Sequence, residues 1–242
     1  MSGHSKWAKI KRAKSATDAK RGQFFSKLIR ANGVAAREGG DPESNPQLRL
    51  VVDRALAANM PKDTISRAIE RAQGGSAEAA ATAFTLEGYG PGGAALLIEV
   101  VTDNRNRTVA EVRRTLTNYD SSLGESGSVA WQFERRGLLV VEHAGNPDAL
   151  ELAAIDAGAL DTEREGNSLD ITTPPEKLKG VEASLKSRGV IPVSSQITNV
   201  PKQVLRLEER VTEKLQALIE ELEEREDVVE VTTNAAPPDD AV

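Results

Sequence analysis

The chain contains no cysteine among its 242 residues and only two histidines, His4 and His143. Disulfides, thiolate nucleophiles and zinc–cysteine centres are thereby excluded, and a reducing compartment is the consistent setting. No apolar run is long enough to cross a bilayer, and no apolar stretch follows the N-terminus as in a secretory signal. Asn106-Arg107-Thr108 matches a glycosylation acceptor, which means nothing without secretion. Carboxylates are not spaced as a general acid and base, the two histidines lie on different segments, and no glycine-rich nucleotide-binding loop links a strand to a helix. The expectation is a cytoplasmic, monomeric protein that is not an enzyme, with no cofactor, no metal, no membrane contact and no small-molecule substrate.

Hydrophobic residues make up 39% and charged residues 28%, the balance of a folded globular chain rather than a disordered one. Charge is unevenly placed. Residues 1–75 carry 15 Lys/Arg against 7 Asp/Glu, net +8, whereas residues 76–242 carry 16 against 30, net -14. A basic segment on an acidic protein is the footprint of a local polyanion contact, the remaining surface being kept off nucleic acid by repulsion.

Residues 1–16 have too few apolar groups to anchor a core and predict a flexible basic arm. Residues 17–75 predict a helical domain. Its first helix, Asp18 to Arg37, places Phe24, Phe25, Leu28 and Ile29 on one side and Lys20, Lys27, Arg30 and Arg37 roughly opposite; Gly33 in its interior weakens it by about 1 kcal/mol relative to Ala. Asn45-Pro46 opens a second helix that ends at Asn59, and Pro61 opens a third that closes at Gly74-Gly75. Gly74 to Thr82 is linker-like in composition. Strands follow at Phe84 to Tyr89 and Ala94 to Thr102, then a helix from about Thr108 to Asn118 and a strand from Ser128 to Phe133. Residues 135–203 contain the order β-α-β-β-α-β, a complete ferredoxin-like unit. One helix and one strand remain, Val228 to Thr233, and cannot form a core alone. Returned to the earlier strands, they make residues 83–134 plus 204–233 one discontinuous domain with the other inserted. The fold class is therefore α+β, a three-helix N-terminal domain followed by two α/β domains of ferredoxin-like type, one inserted into the other. Residues 234–242 predict a disordered tail.

The strongest candidate site is the arm, with His4, Lys6, Trp7, Lys9, Lys11, Arg12 and Lys14. Its cations suit phosphates and its tryptophan suits base or ribose stacking. Lys20, Arg21, Lys27 and Arg30 extend the basic surface onto the first helix. Asp103 to Thr108 joins a strand to a helix, where Thr108 caps and the first amides, with Arg105 and Arg107, are placed to hold phosphate; a plain polar turn explains the same residues equally well. Gly88, Gly90 and Gly93 match G-x-G-x-x-G but link two strands, so a hairpin loop is preferred over a dinucleotide site. Tyr89, Gly90, Pro91, Gly92, Gly93 and Asn104 form a partner-contact candidate, with Tyr89 either a stacking group or an ordinary half-buried strand aromatic. His143 is expected at the surface, and the acidic run Glu220 to Asp227 on the solvated face of a helix rather than around a metal.

The segments Met1–Trp7 (MSGHSKW), Asp18–Gly22 (DAKRG), Asn59–Asp63 (NMPKD), Glu87–Gly93 (EGYGPGG), Thr102–Thr108 (TDNRNRT) and Gly124–Trp131 (GESGSVAW) closely resemble the YebC/PmpR family. The resemblance is specific over residues 1–135 and rests on element order beyond. It implies a helical N-terminal domain with two α/β domains, nucleic-acid binding, and gene regulation without catalysis. Bacterial members are described as probable transcriptional regulators and, in a competing view, as translation factors for ribosomes stalled at proline-rich stretches; a mitochondrial relative activates translation of a cytochrome oxidase subunit. The resemblance also makes the Lys-rich start look like mature protein rather than a transit peptide. Neither a helix-turn-helix with a polar recognition face nor a zinc module is recognisable, and a lysine-and-tryptophan arm suits irregular RNA at least as well as duplex DNA. The expected function is accordingly a ribosome-associated translation factor that binds rRNA and relieves stalling, the alternative a DNA-binding transcriptional regulator.

Overall fold

The computed structural model describes residues 18–74, 81–142, 147–165 and 167–236. Helices α1 (Asp18–Ala35), α2 (Pro46–Ala57) and α3 (Lys62–Gln73) come first. Strands β1 (Thr82–Tyr89) and β2 (Ala95–Thr102), helix α4 (Arg105–Asn118) and strand β3 (Ser122–Leu123) follow. Then come β4 (Phe133–Glu142), α5 (Pro147–Asp156), β5 (Asp161–Glu165), β6 (Ser168–Thr173), α6 (Leu178–Ser187) and β7 (Ser194–Pro201). The chain closes with β8 (Leu205–Arg206), α7 (Glu209–Glu224), β9 (Val228–Thr233) and β10 (Ala235–Ala236).

Residues 134–200 form one compact unit, and the described residues on either side of them form the other. In the inserted unit the strand order is β5-β6-β4-β7, with β6 antiparallel to both neighbours. Leu139, Val141, Leu169 and Ile171 turn one face of this sheet onto Leu150 of α5 and Val181 and Leu185 of α6. The β-α-β-β-α-β order is the one the sequence predicts, and the ferredoxin-like layering follows from it.

The host unit has a sheet of order β3-β1-β2-β9. Position for position this matches the inserted sheet: an edge strand after the first helix, two central strands, and an outer strand after the second helix. Here, however, β1 precedes β2 directly, as a hairpin in which Thr82 faces Thr102 and Tyr89 faces Ala95. The central strand β2 is covered on both faces, which is why it reads as a nearly continuous apolar run. Leu96, Ile98 and Val100 pack on Val112 and Leu116 of α4 and on Leu215 of α7. On the other face Ala95 and Leu97 meet Val129 and Phe133, and Val101 joins Leu28, Met60 and Ile65 of the helical layer.

That second layer changes the expectation for α1. It packs on the sheet as well as on α2 and α3, so its supposed polar side is also engaged: Lys27 is buried, and Arg37 Nη1 donates to Ala81 O at 2.7 Å. Asn45 caps α2 as predicted, accepting the Leu48 amide at 3.0 Å, while its Nδ2 donates to Ala35 O and Gly39 O at 2.8 Å each. One amide side chain thus closes one helix and opens the next.

Three expectations are corrected. The segment Ser128 to Phe133 is not a strand: Ala130–Gln132 is a 3-10 turn, Phe133 begins β4, and the edge strand is the short β3. The cause is Glu87, whose carboxylate takes the amides of Gly127, Val129 and Ala130 at 2.6, 2.7 and 2.8 Å and curls this segment around itself. Helix α4 starts at Arg105 rather than Thr108 because Asn104, not Thr108, is its cap, accepting the Arg107 amide at 3.1 Å. Order also persists past residue 233. Asn234 Oδ1 accepts the Ala95 amide at 2.8 Å, and β10 pairs in parallel with β8. The remaining tail, most of the linker and His143 lie outside the described residues.

Candidate nucleic-acid interface

The arm residues His4, Lys6, Trp7, Lys9, Lys11, Arg12 and Lys14 lie outside the described residues, as do the side chains of Lys20 and Arg21, whose backbone forms the first turn of α1. Two described cations of the expected interface, Arg30 and Arg107, meet at one acidic residue, Asp227, which is buried in the turn between α7 and β9 rather than on the solvated helix face expected for it. Its Oδ1 accepts from Arg30 Nη2 at 3.3 Å. Its Oδ2 accepts from Thr108 Oγ1 at 2.6 Å, Thr102 Oγ1 at 3.1 Å and Arg107 Nη2 at 3.3 Å. Burial alone would raise the Asp227 pKa, but these four donors outweigh it and hold the carboxyl below the usual range. The knot joins α1, the end of β2, the start of α4 and the return from α7, elements that are far apart in the chain.

Within this frame the residues have different freedom. Lys27 is only 7% exposed and its ammonium donates to Glu223 O at the end of α7, where a cation complements the helix dipole. Arg30 also reaches this end, donating to Glu226 O at 3.3 Å. Arg107 pairs with Asp103 at 3.0 Å yet stays half exposed, and the exposed Arg105 lies 4.1 Å above the Phe84 ring, a cation–π contact that orients it. A guanidinium has five donors, so Arg30, Arg105 and Arg107 keep capacity for an anion after these internal contacts.

The glycine loop serves the fold first. Gly90 donates to Ala94 O at 2.7 Å, and Pro91 is buried. At Gly92 the backbone is left-handed, with φ +70°, and an added Cβ would lie 2.6 Å from Leu207 Cδ2 and 2.9 Å from Val211 Cγ1. Glycine is required there so that the hairpin and the start of α7 can approach. Gly93 and Asn104 are exposed.

Two connections escaped the sequence. Glu87 welds the EGYGPGG and GESGSVAW segments into one object; burial alone would raise its pKa, and the three amides reverse this and keep it ionised. Tyr89 Oη adds a bond to Ser128 O at 3.1 Å. Arg54 of α2 is the second. Its Nη1 meets Glu99 at 2.6 Å and its Nη2 meets Glu230 at 2.9 Å, two carboxylates that face one another across β2 and β9. The available signal was a lone charge in an apolar strand, Glu87 in the first case and Arg54's partners Glu99 and Glu230 in the second.

Residues 81–235 match the family model described as the TACO1/YebC second and third domain, and residues 5–75 that of the TACO1/YebC protein N-terminal domain. The chain belongs to the TACO1/YebC family. A relative from Geotalea uraniireducens is 46% identical over 235 residues, covering 97% of this chain and 95% of its own; one from Petrotoga mobilis is 51% identical over 218 residues, covering 89% and 86%. Both are named probable transcriptional regulatory proteins. The TACO1/YebC architecture recurs in the crystal structure of a conserved hypothetical protein from Aquifex aeolicus, with a TM-score of 0.76 and 38% identity, covering 93% of this chain and 94% of that one. Among the described residues of this TACO1/YebC chain, no helix is long and apolar enough to cross a membrane, and no cluster of three metal-ligating side chains occurs.

Proposed function

We propose that this chain is a non-catalytic regulator of gene expression that binds ribosomal RNA and relieves stalled translation, for example at proline-rich stretches. The observation that carries it is the charge division: net +8 over residues 1–75 and net -14 over the rest. Affinity then comes from the arm, the start of α1 and the corner of Arg30, Arg105 and Arg107, while the acidic domains position the molecule without adding attraction.

Recognition of duplex DNA calls for an element that enters a groove and reads base edges. Helix α1 is a poor candidate because both its sides are packed. On α3 the exposed Arg67 and Arg71 share the surface with Asp63 and Glu70, a mixed face that a phosphate-lined groove disfavours. A lysine-rich extension on a folded body instead suits the irregular, cavity-rich surface of folded RNA. The second view, a DNA-binding transcriptional regulator, draws its support from the names of the relatives.

Sucrose-gradient fractionation of lysates at near-physiological salt tests the choice, comparing wild type with a variant carrying Lys6→Gln, Lys9→Gln, Lys11→Gln and Arg12→Gln. Co-sedimentation of the wild type with ribosomes, lost in the variant, is expected, together with new pauses at defined codons in a deletion strain. On RNA single strands the slope of log affinity against log salt should fall by roughly 0.7 per lost contact. Failure to co-sediment, with footprints at discrete promoters, would decide for transcription.

A further inference from the structure

We propose that the Trp131 ring, flanked by Tyr89, is a platform on which an unpaired base of a single-stranded nucleic acid stacks. The proposal rests on the nucleic-acid function above but concerns a different part of the molecule from the basic arm. Trp131 is 67% exposed and Tyr89 39% exposed, and they are the exposed aromatic side chains among the described residues.

The polar tips of both rings are used on the same atom. Tyr89 Oη donates to Ser128 O at 3.1 Å, and Trp131 Nε1 donates to that oxygen at 3.0 Å. With its N–H spent inside the protein, the indole has only ring surface to offer a partner. The loop beneath is held by the three amide bonds to Glu87 and by close packing at Gly124, where a Cβ would lie 3.4 Å from Tyr89 Cε2 and 2.3 Å from Ser128 Oγ. Lys202 Nζ donates to the backbone oxygen of Trp131 at 2.8 Å, which places an ammonium with two further donors at the Trp131 backbone.

A fixed indole with an open face and an adjacent cation matches a nucleotide: the base has a flat π surface and the backbone a phosphate. Stacking of this kind tolerates any base, and a side chain already held in place loses little freedom on binding. An extended proline-rich peptide is the competing ligand for exposed aromatics. Its unpaired carbonyls call for the indole N–H, which here is already given to Ser128 O, while the donor that remains, the Lys202 ammonium, carries the charge that a phosphate calls for.

The test uses the full chain with Trp7→Phe, which leaves Trp131 as the one tryptophan. Uridine and adenosine dodecamers and a proline decamer are titrated while Trp131 emission is followed, and anisotropy of labelled dodecamers reports total binding. Binding should quench Trp131 along the same isotherm as the anisotropy. Trp131→Ala should raise the dissociation constant about tenfold and Trp131→Phe much less, with unchanged thermal midpoints because the ring lies outside the core. Dodecamer binding with no quench and no effect of Trp131→Ala would overturn the platform and leave the arm as the binding element. Quenching by the proline decamer but by neither dodecamer would overturn it in favour of a peptide. Absence of all RNA binding, by dodecamers and by ribosomal RNA, would overturn both the platform and the proposed function.

Discussion

The host and inserted sheets share a spatial layout, with two central strands, an edge strand after the first helix and an outer strand after the second, but they connect the central strands differently and use charge differently. In the host, polar side chains are joints between layers: Arg54 bolts the helical layer to Glu99 and Glu230, and Asp227 gathers donors from α1, β2 and α4. In the inserted unit the helices cover one sheet face through an aliphatic core, and the prominent charge cluster, Arg164 with Asp148 and Glu151, lies at the surface. A sheet sandwiched between two helical layers needs specific ties to fix which layer sits where. A sheet with its own two crossover helices receives that information from chain connectivity.

Arg54→Ala should give the largest effect. It leaves two facing carboxylates without their cation in a site where Arg54 is only 9% exposed at its side chain, and a cost of about 3–5 kcal/mol is expected. Burial alone would lower the Arg54 pKa, but the carboxylates of Glu230 and Glu99 raise it, so the lost group is a charged one. Urea unfolding followed by circular dichroism measures this, and a loss below about 1 kcal/mol would reduce the joint to a surface pair.

The Asp227 knot gives an intermediate, pH-dependent effect. Because its folded pKa lies below the ordinary value of about 4, its stabilising contribution is complete above that value and is lost as pH falls through the depressed one. Asp227→Asn should therefore melt earlier than wild type at neutral pH, with the difference narrowing as the pH falls below the ordinary carboxyl range. A difference that stays constant with pH would assign the effect to shape rather than charge. The smallest effect belongs to the inserted unit, where Arg164→Ala should leave the urea midpoint almost unchanged, with any difference vanishing in high salt. A cost matching that of Arg54→Ala would erase the contrast between the two sheets.

Legibility followed the range of the interactions. The inserted unit was readable strand by strand because its hydrophobic periods and turns are local, and the return of β9 to the host sheet followed from a helix and strand with no other partner. What escaped depends on single residues meeting distant ones. Ser128 to Phe133 has the composition of a strand, and only the carboxylate of Glu87, some forty positions earlier, bends it otherwise. Lys27 stands opposite the apolar stripe of α1, but a second layer buries that side too. At the candidate interface, Arg105 and Arg107 were visible as a turn motif, whereas the partnership of Arg107 with Arg30 around Asp227 joins residues from three parts of the chain.

The way the chain enters and leaves the inserted unit carries one more consequence. On the host side the Lys202 amide donates to Gln132 O at 2.8 Å, so the excursion through residues 134–200 starts and finishes at one backbone contact. To the host it is a single long loop closed at its neck. Loop-closure entropy grows only with the logarithm of length, and doubling such a loop costs about 0.6 kcal/mol. The neck is therefore a cassette site, at which an insert can be enlarged, exchanged or removed over evolutionary time while the sheet around β2 stays closed.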